Sequence, residues 1–291
     1  MIARDMACDI AHGIARDRVG LGWRPELAAG ILSHLDRIDV VEVIADDWFE
    51  ASRRKLGELR MLTAQVPVVL HGIGLGMAST IPVNSKKLDA MARLCDAIDP
   101  ESWSEHLAFV RAGETELGHL AAPPRNNATV EGACRNLERA RRVVGAAPAV
   151  ENIATIIQPP GATLGESEWI GRILDNSGCN LLLDLHNVYA NARNFGGDTL
   201  ALSNQVNRGR VDYIHIAGGK FTPEGRILDD HLHGVPDEVY GLLADAAART
   251  ARPLTVILER DGNYPPMGEM LNHLELARQA LAAGRARRIA S

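Results

Sequence analysis

The sequence predicts a single (β/α)8 barrel, and three observations carry that expectation. The chain has 291 residues, a length usual for one barrel of this class. Short apolar runs bounded by turn signals alternate eight times with stretches of helical period, the pattern of a parallel α/β fold. The downstream end of one apolar run after another carries a histidine or a carboxylate, as when strand ends meet at one mouth. An open doubly wound sheet is the main competitor, but it has no need of polar groups at so many successive strand ends.

The elements follow in order. Residues 1–18 show no clear core pattern and read as an N-terminal extension, with the barrel domain occupying 19–291. Val19 to Trp23 is the first strand, and Pro25 opens the next helix, where a missing N–H costs little. Val40 to Ile44 is the second strand, ending in the polar turn Ala45-Asp46-Asp47-Trp48. Pro67 to Leu70 is the third, followed at once by His71. The glycines at 72, 74 and 76 lack the Gly-x-Gly-x-x-Gly spacing of a dinucleotide loop and read as a backbone turn beside a site. Trp103 to Val110 is the fourth strand, with Glu105 and His106 inside it. Val130, Ala133, Leu137, Ala140 and Val144 recur at three- and four-residue steps, so Thr129 to Val144 is a helix. Pro148 to Asn152 is the fifth strand, and Glu166 to Asp175 a helix. Asn180 to Asn187 reads as the sixth strand; its continuous apolar front suits burial on both faces. Val211 to Ile216 is the seventh strand, Pro236 to Ala247 a helix, Leu254 to Leu258 the eighth strand, and Met267 to Ala283 the closing helix.

Composition narrows the function. A formal net charge of −6 and the absence of a basic stripe argue against nucleic-acid binding. No stretch is long and apolar enough to span a membrane, and no signal peptide is visible at Met1 to Met6. Cys8, Cys95, Cys134 and Cys179 are scattered, without Cys-x-x-Cys, as expected of a reduced cytoplasmic protein.

The densest chemistry lies at Tyr213 to Gly219 and Asp229 to His233. Asp229, His231 and His233 are spaced by two, so an extended backbone would point all three the same way. Taken with the strand ends, the candidate metal ligands are His71, His106, Glu151, Asp184, His215, Asp229, His231 and Glu259. Singly, each is more often a hydrogen-bonded structural residue; six on consecutive strands are not six accidents. Several buried carboxylates at one mouth need compensating cations. One zinc takes three or four protein ligands, so a set this large suggests two or three ions, with Glu151 able to bridge. A mixed His/Asp/Glu set without thiolate suits iron or manganese. His186, Asn187 and His233 are ligands or ligand supports, and Asn152 and Arg260 could orient ligands or a substrate carboxylate. Asp184, His186, Asn187 and Arg260 are the candidate catalytic residues.

These residues, in this order, resemble a known family. His71-Gly72, Ser104-Glu105-His106, Glu151-Asn152, Leu183-Asp184-x-x-Asn187, His215-x-Ala217-Gly218-Gly219, Asp229-x-His231-x-His233-x-Val235-Pro236 and Glu259-Arg260-Asp261 look like the DUF692 family. These are the multinuclear non-haem iron-dependent oxidases, which include the methanobactin-biosynthesis oxygenase component. The similarity spans Val19 to Ala283, and this chain departs from the family pattern at His186 and Leu232. The resemblance implies a barrel holding two or three iron ions. It implies O2 as co-substrate, oxidation of a residue, often cysteine, in a ribosomally made precursor peptide, and a partner protein that presents the peptide. Two other readings compete: a divalent-metal isomerase or phosphodiesterase on the same barrel, and a non-catalytic metal- or peptide-binding protein. An isomerase wants a lysine near the metals, and only Lys220 lies near a strand end.

Overall fold

A computed structural model of the chain describes residues 16–113, 115–200 and 208–290. Eight parallel strands close into a barrel: β1 Arg18–Gly22, β2 Val41–Ile44, β3 Val68–Gly72, β4 Ser102–His106, β5 Ala149–Glu151, β6 Leu181–Asp184, β7 Val211–Ile216 and β8 Thr255–Leu258. Closure excludes the open sheet: β8 pairs with β1, from Arg18 opposite Thr255 to Leu21 opposite Leu258. The first strand thus includes Arg18, one residue upstream of the expected domain boundary; residues 1–15 of the expected extension, and Cys8 with them, lie outside the described residues.

The outer helices are α1 Ala28–Leu32, α2 Arg53–Thr63, α3 Ser85–Ile98, α4 Asn127–Val144, α5 Glu166–Ser177, α6 Leu185–Phe195, α7 Asp237–Arg249 and α8 Met267–Ala290. Pro25 does open helical structure, as a short 3-10 turn leading into α1. Helix α4 begins with a capping box in which the Asn126 side chain accepts from the Thr129 N–H and Thr129 Oγ1 accepts from the Asn126 N–H, satisfying two otherwise orphan donors. The large core lies between strands and helices, with Leu70, Ile170, Leu181, Leu243 and Leu274 among its buried members.

A second, smaller core fills the barrel interior: Val40, Val69, Ala149, Leu182, Tyr213 and Ile257. Along a strand, alternate residues face the same side. Two positions downstream of these six stand Glu42, His71, Glu151, Asp184, His215 and Glu259, all at most 4 % exposed. An apolar plug therefore floors the barrel, and a polar layer lies directly above it. Gly20 on β1 belongs to the same floor, and a Cβ there would collide with the Val40 carbonyl and side chain.

Two expected strands are shorter than the sequence suggests. The fourth ends at His106; Phe109–Ala112 then pairs antiparallel with Thr115–Ala121 as a hairpin outside the barrel. The sixth ends at Asp184, and α6 starts on the next residue. Asp184 is its N-cap, Oδ1 accepting from the Asn187 N–H at 2.7 Å, which bends the chain out of the sheet. His186 and Asn187 are therefore first-turn helical residues.

Candidate metal centre at the barrel mouth

The strand-end residues converge as expected. The rings of His71 and His106 lie 4.6 Å apart, and those of His71 and His215 5.2 Å. Glu151 is the hub. Its Oε2 is 3.2 Å from His71 Nε2 and 3.3 Å from His106 Nε2, and its Oε1 is 3.2 Å from His215 Nδ1. Glu259 Oε2 is 3.0 Å from the same His215 nitrogen.

A second group sits beside it on helix and loop. Asp229 Oδ1 is 2.9 Å from His186 Nδ1 and 2.8 Å from His231 Nε2. His231 adopts φ +52°, a backbone conformation uncommon for a residue with a Cβ. Gly219 leaves room for this group, since a Cβ there would lie 2.6 Å from His186 Cε1. His231 Nδ1 is 3.7 Å from Glu259 Oε2, so the two groups adjoin.

Among the described residues, three sets have ligand atoms within 4.8 Å of one another: His71, Glu151 and His215; Glu151, Asp184, His215 and Glu259; and His186, Asp229 and His231. His106 stands outside these sets and joins through Glu151. The expected run of three residues pointing one way from an extended Asp229–His233 does not form. The left-handed turn at His231 breaks the alternation, and His233 is 46 % exposed and pairs with Asp230 at 3.0 Å. Arg260 also points elsewhere, donating to the carbonyls of Gly262 at 2.8 Å and Asn263 at 2.6 Å. Asn187 and Asn152 brace the cluster from behind: Asn187 Nδ2 donates to the Asn152 carbonyl, and Asn152 Nδ2 donates to that of Asp184.

Three supporting side chains have no role in the sequence reading, although Ser104 and Asp261 stand in its motifs. Ser104 Oγ holds His71 Nδ1 at 2.8 Å. Asp261 Oδ2 holds His231 Nδ1 at 3.1 Å while its other oxygen pairs with Arg24. Glu42 Oε2 lies 2.9 Å from His215 Nε2. The signal that could have found Glu42 is the strand alternation: Val40 and Glu42 repeat the apolar-then-acid step of Ala149 and Glu151.

The electrostatics are those of a crowded, buried set. Burial, reinforced by Asp229, Glu151 and Glu259, pushes the Asp184 carboxyl well above the usual range. Burial alone would lower His215, but Glu259, Glu42 and Glu151 overcome it and raise it well above an ordinary histidine. His231 is raised likewise, against burial, by Glu259 and Asp229. His106, opposed by burial and favoured by Glu151 and Glu105, is raised to about 9. For His71 burial wins and the shift is downward. Without cations the cluster must hold protons to offset its carboxylates.

The orphan atoms test whether a metal fits. Glu151 Oε2, Asp184 Oδ2, Asn187 Oδ1, His231 Nε2 and Glu259 Oε2 are buried and make no aligned hydrogen bond, although several lie within 3.3 Å of another polar atom. Lone pairs that approach without hydrogen-bond alignment are arranged for a third body between them, and buried polar atoms without partners are costly otherwise. The donors are imidazole nitrogens and carboxylate oxygens, which suit a hard or intermediate divalent ion.

Over residues 18–282 the chain matches the family described as RiPP precursor modification enzyme MbnB/TglH/ChrH. The chain belongs to that family. Relatives in the MbnB/TglH/ChrH family include proteins designated UPF0276 protein. One from Streptomyces avermitilis is 35 % identical over 269 residues, 90 % of this chain and 54 % of the relative, so the chain spans about half of that protein's length. One from Caulobacter vibrioides is 31 % identical, covering 92 % of this chain and 96 % of the relative. Among solved structures, an L-ribulose 3-epimerase superposes with TM-score 0.61 at 12 % identity, over 94 % of this chain and 97 % of its own. Endonuclease IV from Thermus thermophilus gives 0.52 at 16 % identity, over 94 % and 100 %. At such identities these likenesses show the barrel fold alone.

Proposed function

We propose that the chain is a multinuclear non-haem iron-dependent oxidase that uses O2 to modify a residue, cysteine in particular, of a ribosomally made precursor peptide. The observation that carries this reading is the convergence of five histidines and four acidic residues, several with unpartnered ligand atoms, into one nitrogen-and-oxygen donor set. His71, His106, Glu151, Asp184, His215 and Glu259 would hold the inner ions, and His186, Asp229 and His231 an outer one, two or three irons in all. Bound iron would supply the redox capacity to reduce O2 at the expense of a substrate bond.

The chain's own residues do the rest. The apolar floor excludes water from below. Glu151 and Glu259 hold negative charge against the rings of His71, His106, His215 and His231, keeping donors in place before substrate arrives. Asn152 and Asn187 fix the turn from β6 into α6 that carries Asp184 and His186. The protein's own described thiols lie off the site: Cys95 and Cys134 on outer helices, Cys179 before β6, each pushed upward by burial and Cys95 to about 12. Among the described residues no thiol reaches the site, which supports a substrate thiol as the reacting one.

The rim supports a peptide rather than a small sugar. Loops following β3, β4, β5 and β7 expose Ile73, Leu117, Ile156, Ile157 and Phe221 at the mouth, an apolar surface for a peptide or for a protein that presents it. The isomerase reading lacks its lysine, since Lys220 is exposed in a hairpin of two-residue strands. No described helix is long and apolar enough to cross a membrane.

The test is aerobic incubation of anaerobically iron-loaded protein with the precursor peptide encoded beside it, a reductant and any neighbouring partner protein. The expected result is a changed peptide mass, located at cysteine, with O2 consumed. Unchanged mass with all components supplied would sink the oxidase reading, and metal uptake without O2 consumption would favour storage.

A further inference from the structure

Glu42 stands in the same inward-facing polar layer as the candidate ligands, on β2, but belongs to none of the three ligand sets. It is 1 % exposed in the middle of β2. Its Oε2 lies 2.9 Å from His215 Nε2, while His215 Nδ1 faces Glu151 at 3.2 Å and Glu259 at 3.0 Å. A neutral imidazole has one N–H and one lone pair, and the partner of one nitrogen decides which is which. The inner histidines differ here. His71 and His106 turn Nδ1 outward, to the Ser104 hydroxyl at 2.8 Å and the Gly72 carbonyl at 3.2 Å. Their Nε2 atoms face Glu151. His215 is reversed: its Nδ1 faces Glu151 and Glu259, and its Nε2 leans on the Glu42 carboxylate.

We propose that Glu42 is a positioning residue that holds the proton of His215 on Nε2, leaving Nδ1 as the metal-facing lone pair of the inner group. The claim rests on the metal-centre reading above. A carboxylate behind a ligating histidine fixes its tautomer and strengthens it as a donor, and losing such a partner costs about 10–100-fold in metal affinity. The Ser104 hydroxyl behind His71 does less, and behind His106 the nearest carboxylate, Glu105 Oε1, is 3.8 Å from Nδ1, so the carboxylate at 2.9 Å makes His215 the strongest imidazole donor of the inner group.

The full chain, loaded anaerobically with Zn2+ after 15N-histidine labelling, gives the direct readout. Nuclear magnetic resonance of the ring nitrogens should place the His215 proton on Nε2 and the metal on Nδ1. In Glu42→Gln the Nε2–H resonance should shift. Chelator competition with Zn2+ or Co2+ should show the inner group weakened by about 10–100-fold, with the His186, Asp229 and His231 group unchanged. Wild-type protein with the His215 proton on Nδ1 overturns the proposal without any variant. So does Glu42→Gln that keeps both resonance and affinity, or that weakens every group equally, as a general packing defect would. Wild-type protein that takes up neither ion removes the metal-centre reading and this proposal together.

Discussion

The mouth of the barrel holds two groups of ligand-type residues built in different ways. The inner group rides on strands. His71, His106, Glu151, Asp184, His215 and Glu259 are each at most 9 % exposed, and their directions follow from strand alternation above a filled floor. The outer group rides on the first turn of α6 and on a loop. The side chains of Asp229 and His231 are 22 % and 15 % exposed, and His231 depends on Asp261 and, through it, on Arg24. A strand inside a closed barrel cannot shift without breaking its neighbours, whereas a loop with a left-handed residue can. The inner group is thus held by the sheet itself, and the outer group, carried by a helix turn and a loop, has more freedom to adjust.

That contrast can be broken or sharpened by experiment. The largest effect belongs to Glu151→Ala, which removes the partner shared by His71, His106 and His215. It should abolish peptide modification and inner-group metal, read by metal analysis and peptide mass. Retained inner metal would show that the hub is elsewhere. Next, His231→Ala should remove the outer metal alone and spare the inner ones. Loss of all metal would mean that the two groups form one cooperative unit. Asp261→Asn should weaken the outer site by about 10–100-fold in chelator competition and leave the inner site as it was.

A smaller effect should appear with pH in metal-free protein. His106, His215 and His231 are raised in the folded chain, His106 to about 9 from an ordinary 6.5. The folded state holds those protons more tightly than the unfolded chain. Their stabilisation is complete below about pH 6.5 and is lost as pH rises through the folded values. The melting temperature of the metal-free chain should therefore fall between about pH 6.5 and 9 through these groups. The metal-loaded chain, whose ligands are already deprotonated, should not show that fall. The smallest effect is a control at a residue in neither group: Asn126→Ala removes the α4 cap, should cost about 1 kcal/mol and should leave metal content untouched.

Much of this was legible beforehand because the relevant rules are local. Eight alternating segments, and polar residues just past each apolar run, foretell a barrel with its chemistry at one end. His71, Glu151, Asp184, His215 and Glu259 are found that way. Glu42 was not, because it lies mid-strand between apolar neighbours and resembles an ordinary alternating position until the floor beneath it is seen. The sequence places His186 on a strand, since an N-cap aspartate at a strand end looks the same in sequence as a strand's last residue. His233 and Arg260 stand beside cluster members in sequence, yet a left-handed turn and a local carbonyl pair direct their side chains away.

The sequence by itself determined the fold class and the kinds of donor atom, because periodicity and side-chain chemistry belong to each segment alone. Only the tertiary structure decided which nitrogens face inward, which carboxylates stand behind them, and which loop residues reach the cluster. Those depend on register between strands far apart in the chain and on backbone turns at single residues, and neither leaves a pattern that can be read along the chain.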